Sequence, residues 1–335
     1  MAIERIESVT YGVDDLAECT RFFSDFGLTL AEEADDRVVF TTQVGQTVVL
    51  RPVDAPDLPP SVETGPGIRE VIWGVDSHGA FDALVAELRT DRAVTVVDGV
   101  AHTHDETGFG LGFAITDPVH LNYDPRRYNS SGRVERWNQP HTAIRDIRPI
   151  RICHVALNIP KEGRWDAVHF YTDRLNFRAT DIVKPMGVFM QVEGDDDQHN
   201  FLLCHRPDRA GTNHTSYEVS GFDDVIEGGN HMIEKGWREA RRLGRHTVGS
   251  NVFRFIHNPA GGRVEYAADM DRVDETYGPN VHEETPPHHI WVLETNRDAE
   301  QGTLPGGDGV AEPGSASQPG STEFSEPAEP RGDFQ

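Results

Sequence analysis

The sequence predicts an α+β fold of two tandem domains, each a pair of βαβββ modules that curl a mixed sheet into a barrel-like cup with helices outside. Three observations lead there. A strand, a helix and three further strands recur four times, at intervals of roughly 50 to 60 residues, as a duplicated module requires. Short phrases return one domain later: FFSDFGL at Phe22–Leu28 reappears as FYTDRLNF at Phe170–Phe177, and TDPVHLNY at Thr116–Tyr123 as HNPAGGRVEY at His257–Tyr266. Finally, Asn251–His257 and Arg263–Ala267 alternate around an Asn258-Pro259-Ala260-Gly261-Gly262 turn, the signature of a β-hairpin.

Taken in order, Ile3–Val13 alternates as a strand, and Leu16, Phe22, Phe23 and Phe26 then recur near helical spacing within Asp14–Phe26. LTLAEE, RVVFTT and TVVLRP follow as short strands between turn residues. A Pro-rich connector leads to a strand at Ile68–Val75, a helix at Ala80–Leu88, and weaker strands ending in GLGFAITDP and HLNYDP. The pattern restarts with a strand at Arg151–Ile159, a helix at Trp165–Leu175, and strands in FRATDIV, GVFMQVE and HNFLLCH. The last module has a strand at His214–Val219, a helix at Phe222–Lys235 and the hairpin. The expected division is an N-terminal domain at 1–125, a connection at 126–147, a C-terminal domain at 148–272, a packing strap at 273–295 and a tail at 296–335. The strap is expected to pack Ile290, Trp291 and Leu293 on the body. The Gly-, Pro-, Ser- and Glu-rich tail has too little apolar surface to offset its chain entropy and reads as disordered.

A formal charge of −25 argues against nucleic-acid binding, which needs clustered cations to replace phosphate counterions. The sequence contains no apolar run of membrane-spanning length and no secretory leader pattern, so a soluble cytoplasmic protein is expected. Cys19, Cys153 and Cys204 lack metal-ligand spacing and read as small buried residues.

Alternation assigns side chains to faces. In ICHVALNI the apolar residues Cys153, Val155, Leu157 and Ile159 oppose His154; in HTSYEV, His214 and Ser216 oppose Tyr217; in RVEYA, Arg263 and Glu265 oppose Val264 and Tyr266. Packing the apolar faces against helices turns His154, His214 and Glu265 towards one concave surface. Two imidazoles and one carboxylate hold a divalent metal while leaving coordination positions open, a geometry suited to non-haem Fe(II). Aligning the first domain on the second sets Ser8 against His154, Glu70 against His214 and Asn122 against Glu265, so only the second cup is furnished with ligands. His102 and His104, in AHTHDETG, read as loop residues in solvent.

These three residues, GRHT at Gly244–Thr247 and the NPAGG…VEY hairpin together resemble the type I extradiol ring-cleavage dioxygenases of the vicinal oxygen chelate (glyoxalase/bleomycin resistance/dioxygenase) superfamily, over about residues 3–270. The resemblance implies Fe(II), with Mn(II) as the alternative, and a catecholic substrate whose ring is opened by O2 beside the diol in aromatic-compound catabolism. It also implies a homo-oligomer. It assigns His154, His214 and Glu265 as metal ligands and His199 as the acid–base residue. His246 becomes the histidine that hydrogen-bonds substrate or oxygen, and Arg241 a cation for an acidic substituent; a helix-end cation in solvent is the other reading of Arg241. The chain departs from the family at Phe255, where a tyrosine is usual; His257 shares its strand face and is expected to compensate for the lost phenol. A metal-dependent isomerase or lyase, or a metal-free binding protein, remains compatible with the same scaffold.

Overall fold

The computed structural model describes residues 3–121, 126–142 and 146–294. Its strands form two sheets. The first contains β1 (Ile3–Val13), β2 (Thr29–Ala34), β3 (Arg37–Thr41), β4 (Thr47–Pro52), β5 (Gly67–Val75), β6 (Thr95–Val97), β7 (Val100–His104) and β8 (Gly110–Ile115), in the order β2-β3-β4-β1-β5-β8-β7-β6. Helices α1 (Leu16–Asp25) and α2 (His78–Leu88) begin at Asp15 and Ser77, whose side chains accept from the free backbone N–H groups of Glu18 and Ala80.

The second sheet repeats this plan with β9 (Arg151–Pro160), β10 (Arg178–Val183), β11 (Gly187–Gln191), β12 (Phe201–Arg206), β13 (Gly211–Glu218), β14 (Glu239–His246), β15 (Val252–His257) and β16 (Arg263–Ala268). Two strands from the strap, β17 (Asn280–His282) and β18 (His289–Val292), join its opposite edges, giving β17-β10-β11-β12-β9-β13-β16-β15-β14-β18. The α+β architecture of two mixed sheets is therefore as the sequence predicts. The helix expected over 165–175 is shorter: α3 (Arg164–His169) runs into a wide π-type turn at Phe170–Arg174. Helix α4 (Phe222–Glu234) completes the second unit.

The core lies between the two halves. Phe26 stacks on Tyr266 at 4.1 Å and meets Tyr217 at 5.1 Å, while Trp73 packs on Phe177 and Phe201. Buried polar groups span the same junction: Tyr11 Oη lies 2.8 Å from Thr215 Oγ1, and Tyr266 Oη donates to Phe26 O at 2.8 Å.

Three expectations are corrected. Ile290, Trp291 and Leu293 are exposed, because β18 adds to the sheet edge through its backbone instead of laying these side chains on the body. His102 and His104 lie on β7, not in a loop; His102 is half-buried, with Nδ1 2.7 Å from Glu70 Oε1, and His104 is exposed as expected. The parallel registers pair Ser216 with Glu265 and Ile72 with Gly112, so Gly112, not Asn122, is the first-sheet counterpart of Glu265. Asn122 and the tail lie outside the described residues. Among those residues no helix is long and apolar enough to cross a membrane.

Candidate metal centre and substrate cup

Three adjacent strands, β9, β13 and β16, set the centre. β13 lies between an antiparallel β9 and a parallel β16, with Ser216 opposite both His154 and Glu265. A register shift between Thr212 and His214 brings the His214 ring to the same point. His154 Nε2 lies 3.0 Å from His214 Nε2 and 3.1 Å from Glu265 Oε2, and His214 Nε2 lies 3.6 Å from that oxygen. One donor atom from each residue falls within 4.8 Å of the other two.

All three side chains are buried, Glu265 completely. Burial opposes the charge of Glu265, but the adjacent His154 and His246 imidazoles hold its carboxyl well below the usual range. Burial pushes His214 well below the ordinary histidine value, and His154 adds to the effect. The site thus offers an ionised carboxylate and a neutral imidazole, the protonation states that metal ligation requires. Two further features fit an ion. Glu265 Oε2 is buried and has no hydrogen-bond donor among the described residues, an arrangement that costs a few kcal/mol unless something else satisfies it. In addition, donors meeting one ion at right angles through bonds of about 2.1 Å stand about 3 Å apart, close to the separations above.

Of the other predicted residues, His199, His246 and Phe255 pack on this cluster. The His199 ring centroid is 4.5 Å from that of His154 and 5.0 Å from that of Phe189; burial, then His154, lowers its pKa well below the ordinary value. His246 ends β14, with Nε2 3.7 Å from Glu265 Oε1 and its ring stacked on Phe253 at 4.0 Å; burial lowers its pKa. The hairpin pairs Phe255 with Glu265 and His257 with Arg263, the register alternation predicts. Phe255 presents its ring at 5.1 Å from His214 and 6.0 Å from His246. His257 sits at the turn end of that strand, its N–H on Arg238 O. Arg241 lies on β14, not at a helix end, with its guanidinium 5.6 Å from the Phe255 ring; Arg263 approaches the same ring at 5.2 Å.

Ala156, Val183, Phe189, Leu202 and Cys204 form a separate buried apolar patch, with Met186 and Val248 packed on it. By alternation from His154, Ala156 continues the ligand face, so this patch is a dry wall beside the polar cluster. The apolar patch lies on one side of the ligand cluster, and the two arginines meet around Phe255 on another.

Three residues that sequence reading missed support the centre. Asn251 Nδ2 donates to Glu265 Oε1 at 3.0 Å, Asn213 Oδ1 lies 2.8 Å from His214 Nδ1, and Gln198 Oε1 lies 2.6 Å from His199 Nδ1. The second candidate group, Asp195, Asp196 and Asp197, is an ion-pair network closed by Arg151 and Arg272.

Comparison with known proteins is consistent with this picture. Residues 154–266 match the model of the Glyoxalase/Bleomycin resistance protein/Dioxygenase superfamily. Metapyrocatechase 2 of Cupriavidus necator is 26% identical over 284 residues, covering 81% of this chain and 83% of that protein. The Mn(II)-bound glyoxalase from Novosphingobium aromaticivorans is similar in fold, with a TM-score of 0.65 at 24% identity over 86% of this chain and 90% of that one. BphC, a halotolerant catechol dioxygenase, has a TM-score of 0.67 at 17% identity, covering 89% and 96%. The superfamily resemblance read from the sequence is borne out.

Proposed function

We propose that this chain, whose second half matches the glyoxalase and dioxygenase superfamily, is a metal-dependent extradiol dioxygenase that opens a catecholic ring beside its diol with O2. The carrying observation is the buried set of two imidazoles and one carboxylate beside an apolar wall. His154, His214 and Glu265 would hold the ion, Fe(II) or alternatively Mn(II). When bound, such an ion offers open positions at which a diol and O2 meet.

The chain's own residues supply the remaining functions. The apolar wall of Ala156, Phe189 and Leu202 excludes water and receives the ring. His199, kept neutral by burial, has a lone pair to take a phenolic proton and can return it later. His246, kept neutral by burial beside Glu265, would hydrogen-bond a bound oxygen atom. Arg241 and Arg263, converging on Phe255, supply positive charge for an anionic group. Phe255 contributes a ring face and no hydroxyl, so a substrate oxygen there must find its donor elsewhere. The division into an N-terminal unit at 1–125, a connection at 126–147, a catalytic unit at 148–272 and a strap at 273–295 belongs to the same proposal.

The test is oxygen uptake by protein reconstituted anaerobically with Fe(II), across a panel of ortho-diphenols, with detection of the yellow ring-fission product. No uptake with any of them, by protein shown to hold stoichiometric iron, would sink the reading. A second reading, a metal-dependent isomerase or lyase, is favoured by Phe255 and by the likeness to a Mn(II)-bound glyoxalase. Such chemistry leaves O2 untouched, so the same electrode separates the two.

A further inference from the structure

His199 packs on the ligand cluster, its ring centroid 4.5 Å from that of His154, and its usefulness as a proton-transfer group depends on which ring nitrogen carries the proton. A neutral imidazole with Nε2 protonated is a donor there; with Nδ1 protonated, Nε2 is the base. The surroundings of His199 select between these forms through a chain of hydrogen bonds that runs through Gln198 to the Asp181 carboxylate.

Nδ1 of His199 lies 2.6 Å from Gln198 Oε1. The other end of that amide, Nε2, reaches Asp181 Oδ2 at 2.7 Å and Thr180 Oγ1 at 3.2 Å. Both are acceptors. The Thr180 hydroxyl gives its proton to Phe189 O at 3.2 Å. The Asp181 carboxylate also accepts from Tyr277 Oη at 3.1 Å and lies 2.7 Å from His282 Nε2. The Gln198 N–H groups must therefore face Asp181, its carbonyl must face His199, and a carbonyl accepts only from a protonated Nδ1.

Packing prevents the amide from escaping this arrangement. Gln198 and Asp181 are buried, and Gln198 N–H donates to Asp271 O at 2.9 Å. The backbone of Gly249, at φ +81°, lies against both side chains: a Cβ there would meet Gln198 Oε1 and His199 Cε1 at 3.2 Å.

We infer that Asp181 and Gln198 are positioning residues that lock His199 in its Nδ1–H tautomer and so leave Nε2 as the proton acceptor of the cup. The inference rests on the proposed role of His199 in that it gives the tautomer a use; the tautomer itself follows from the hydrogen bonds. Tyr277 and His282 come from the strap, so the segment crossing the sheet edge at β17 anchors Asp181 and, through it, the base.

The test reads the tautomer directly. Long-range 1H–15N spectra of the full-length chain, labelled at histidine and loaded with diamagnetic Zn(II), distinguish protonated from unprotonated ring nitrogens, with His199 assigned by its loss in His199→Gln. The wild type should show His199 protonated at Nδ1. In Asp181→Leu the carboxylate that selects the N–H end of Gln198 is gone, the amide can turn over, and an Nε2–H form of His199 should appear. The double variant Asp181→Leu/Gln198→Glu accepts from Nδ1 with either carboxylate oxygen and should restore the wild-type tautomer. With Fe(II), Asp181→Leu should lower kcat for a catechol by about 10²-fold, the low end for loss of a general base, with a smaller change in KM, and the double variant should recover most of it. An Nε2–H form in the wild type, or the same tautomer in wild type and folded Asp181→Leu, would overturn the inference. If Asp181→Leu does not fold, the wild-type spectrum and that of Gln198→Leu, which removes the acceptor outright and should release the proton to Nε2, still decide. Expected tautomers without oxygen uptake would support the positioning pair while overturning the dioxygenase reading.

Discussion

Asn251 offers the sharpest quantitative check on the proposed centre. It is fully buried, its Nδ2 donates to Glu265 Oε1 at 3.0 Å, and its Oδ1 has no partner among the described residues, so Glu265 selects the donor end of the amide. The other carboxylate oxygen, Oε2, faces the two imidazoles. Asn251 thus ties down one oxygen and leaves its twin for an ion. A hydrogen bond to a charged group is worth about 1.5–3 kcal/mol. Loss of an outer partner of a metal ligand typically weakens metal affinity by roughly 10- to 100-fold, about 1.4–2.8 kcal/mol at about 1.4 kcal/mol per decade. The two routes agree near ~2 kcal/mol. Asn251→Ala removes the donor and leaves a void; Asn251→Leu removes it at nearly constant volume. Anaerobic competition against a metallochromic chelator should therefore show metal affinity reduced about 10- to 100-fold in both, whatever their effects on metal-free stability. Affinities within threefold of wild type in both variants would refute the assignment of Asn251 and weaken that of Glu265.

Three further outcomes test the frame around the site. His205 is buried and its pKa is lowered to about 4, chiefly by burial, so protons bind the unfolded chain first and stability falls as pH drops from about 6.5 towards 4. Urea denaturation should show that loss shrinking by about 3 kcal/mol in His205→Leu relative to wild type, and an unchanged pH profile would contradict the burial effect. Gly249→Ala places a Cβ at φ +81° within 3.2 Å of Gln198 and His199 and should cost about 1–3 kcal/mol in the same assay; a neutral result would mean that the loop shifts freely. Tyr266→Phe keeps the 4.1 Å stack on Phe26 but strips the bond to Phe26 O, and should cost about 1–2 kcal/mol of folding stability, with no loss counting against that bond as a link between the two halves.

What the sequence disclosed, and what it hid, follows from one physical distinction. His154, His214 and Glu265 were legible because strand alternation has a strict period of two and sorts side chains by face without any three-dimensional information. The Phe255–Glu265 pairing was legible because a hairpin turn fixes register. Gln198, Asn213 and Asn251 each sit where that period fails. Gln198 lies in an irregular stretch before β12, Asn213 at the register shift between Thr212 and His214, and Asn251 just before β15, after Ser250 at φ +55°. No face can be assigned to such positions without coordinates. Strand β14 was hidden differently: its EARRLGRH sequence lacks clean alternation, and it becomes interior to the sheet only when the distant β18 covers its edge.

The duplicated scaffold explains why the second cup, not the first, is suited to hold an ion. At the positions equivalent to His154, His214 and Glu265, the first sheet has Ser8, Glu70 and Gly112. Ser8 Oγ accepts from Thr47 at 2.7 Å, and Glu70 Oε1 lies 2.7 Å from His102 Nδ1, two strands away. Glu70 raises the pKa of His102, so the pair tends towards an ion pair sealed within its own sheet. A Cβ at Gly112 would come within 2.8 Å of Ile72 Cγ1, so the fold has no room for a ligand side chain there without repacking. Glu265 is the opposite case. It is held on one oxygen by an amide, faces two imidazoles with the other, and among the described residues finds no hydrogen-bond donor for Oε2 in a fully buried position. A buried carboxylate satisfied by its neighbours contributes to folding; one left half-satisfied between imidazoles costs stability until a cation arrives. On that ground alone, metal should raise the thermal midpoint of the wild type and not that of Glu265→Gln, whatever happens at the first cup.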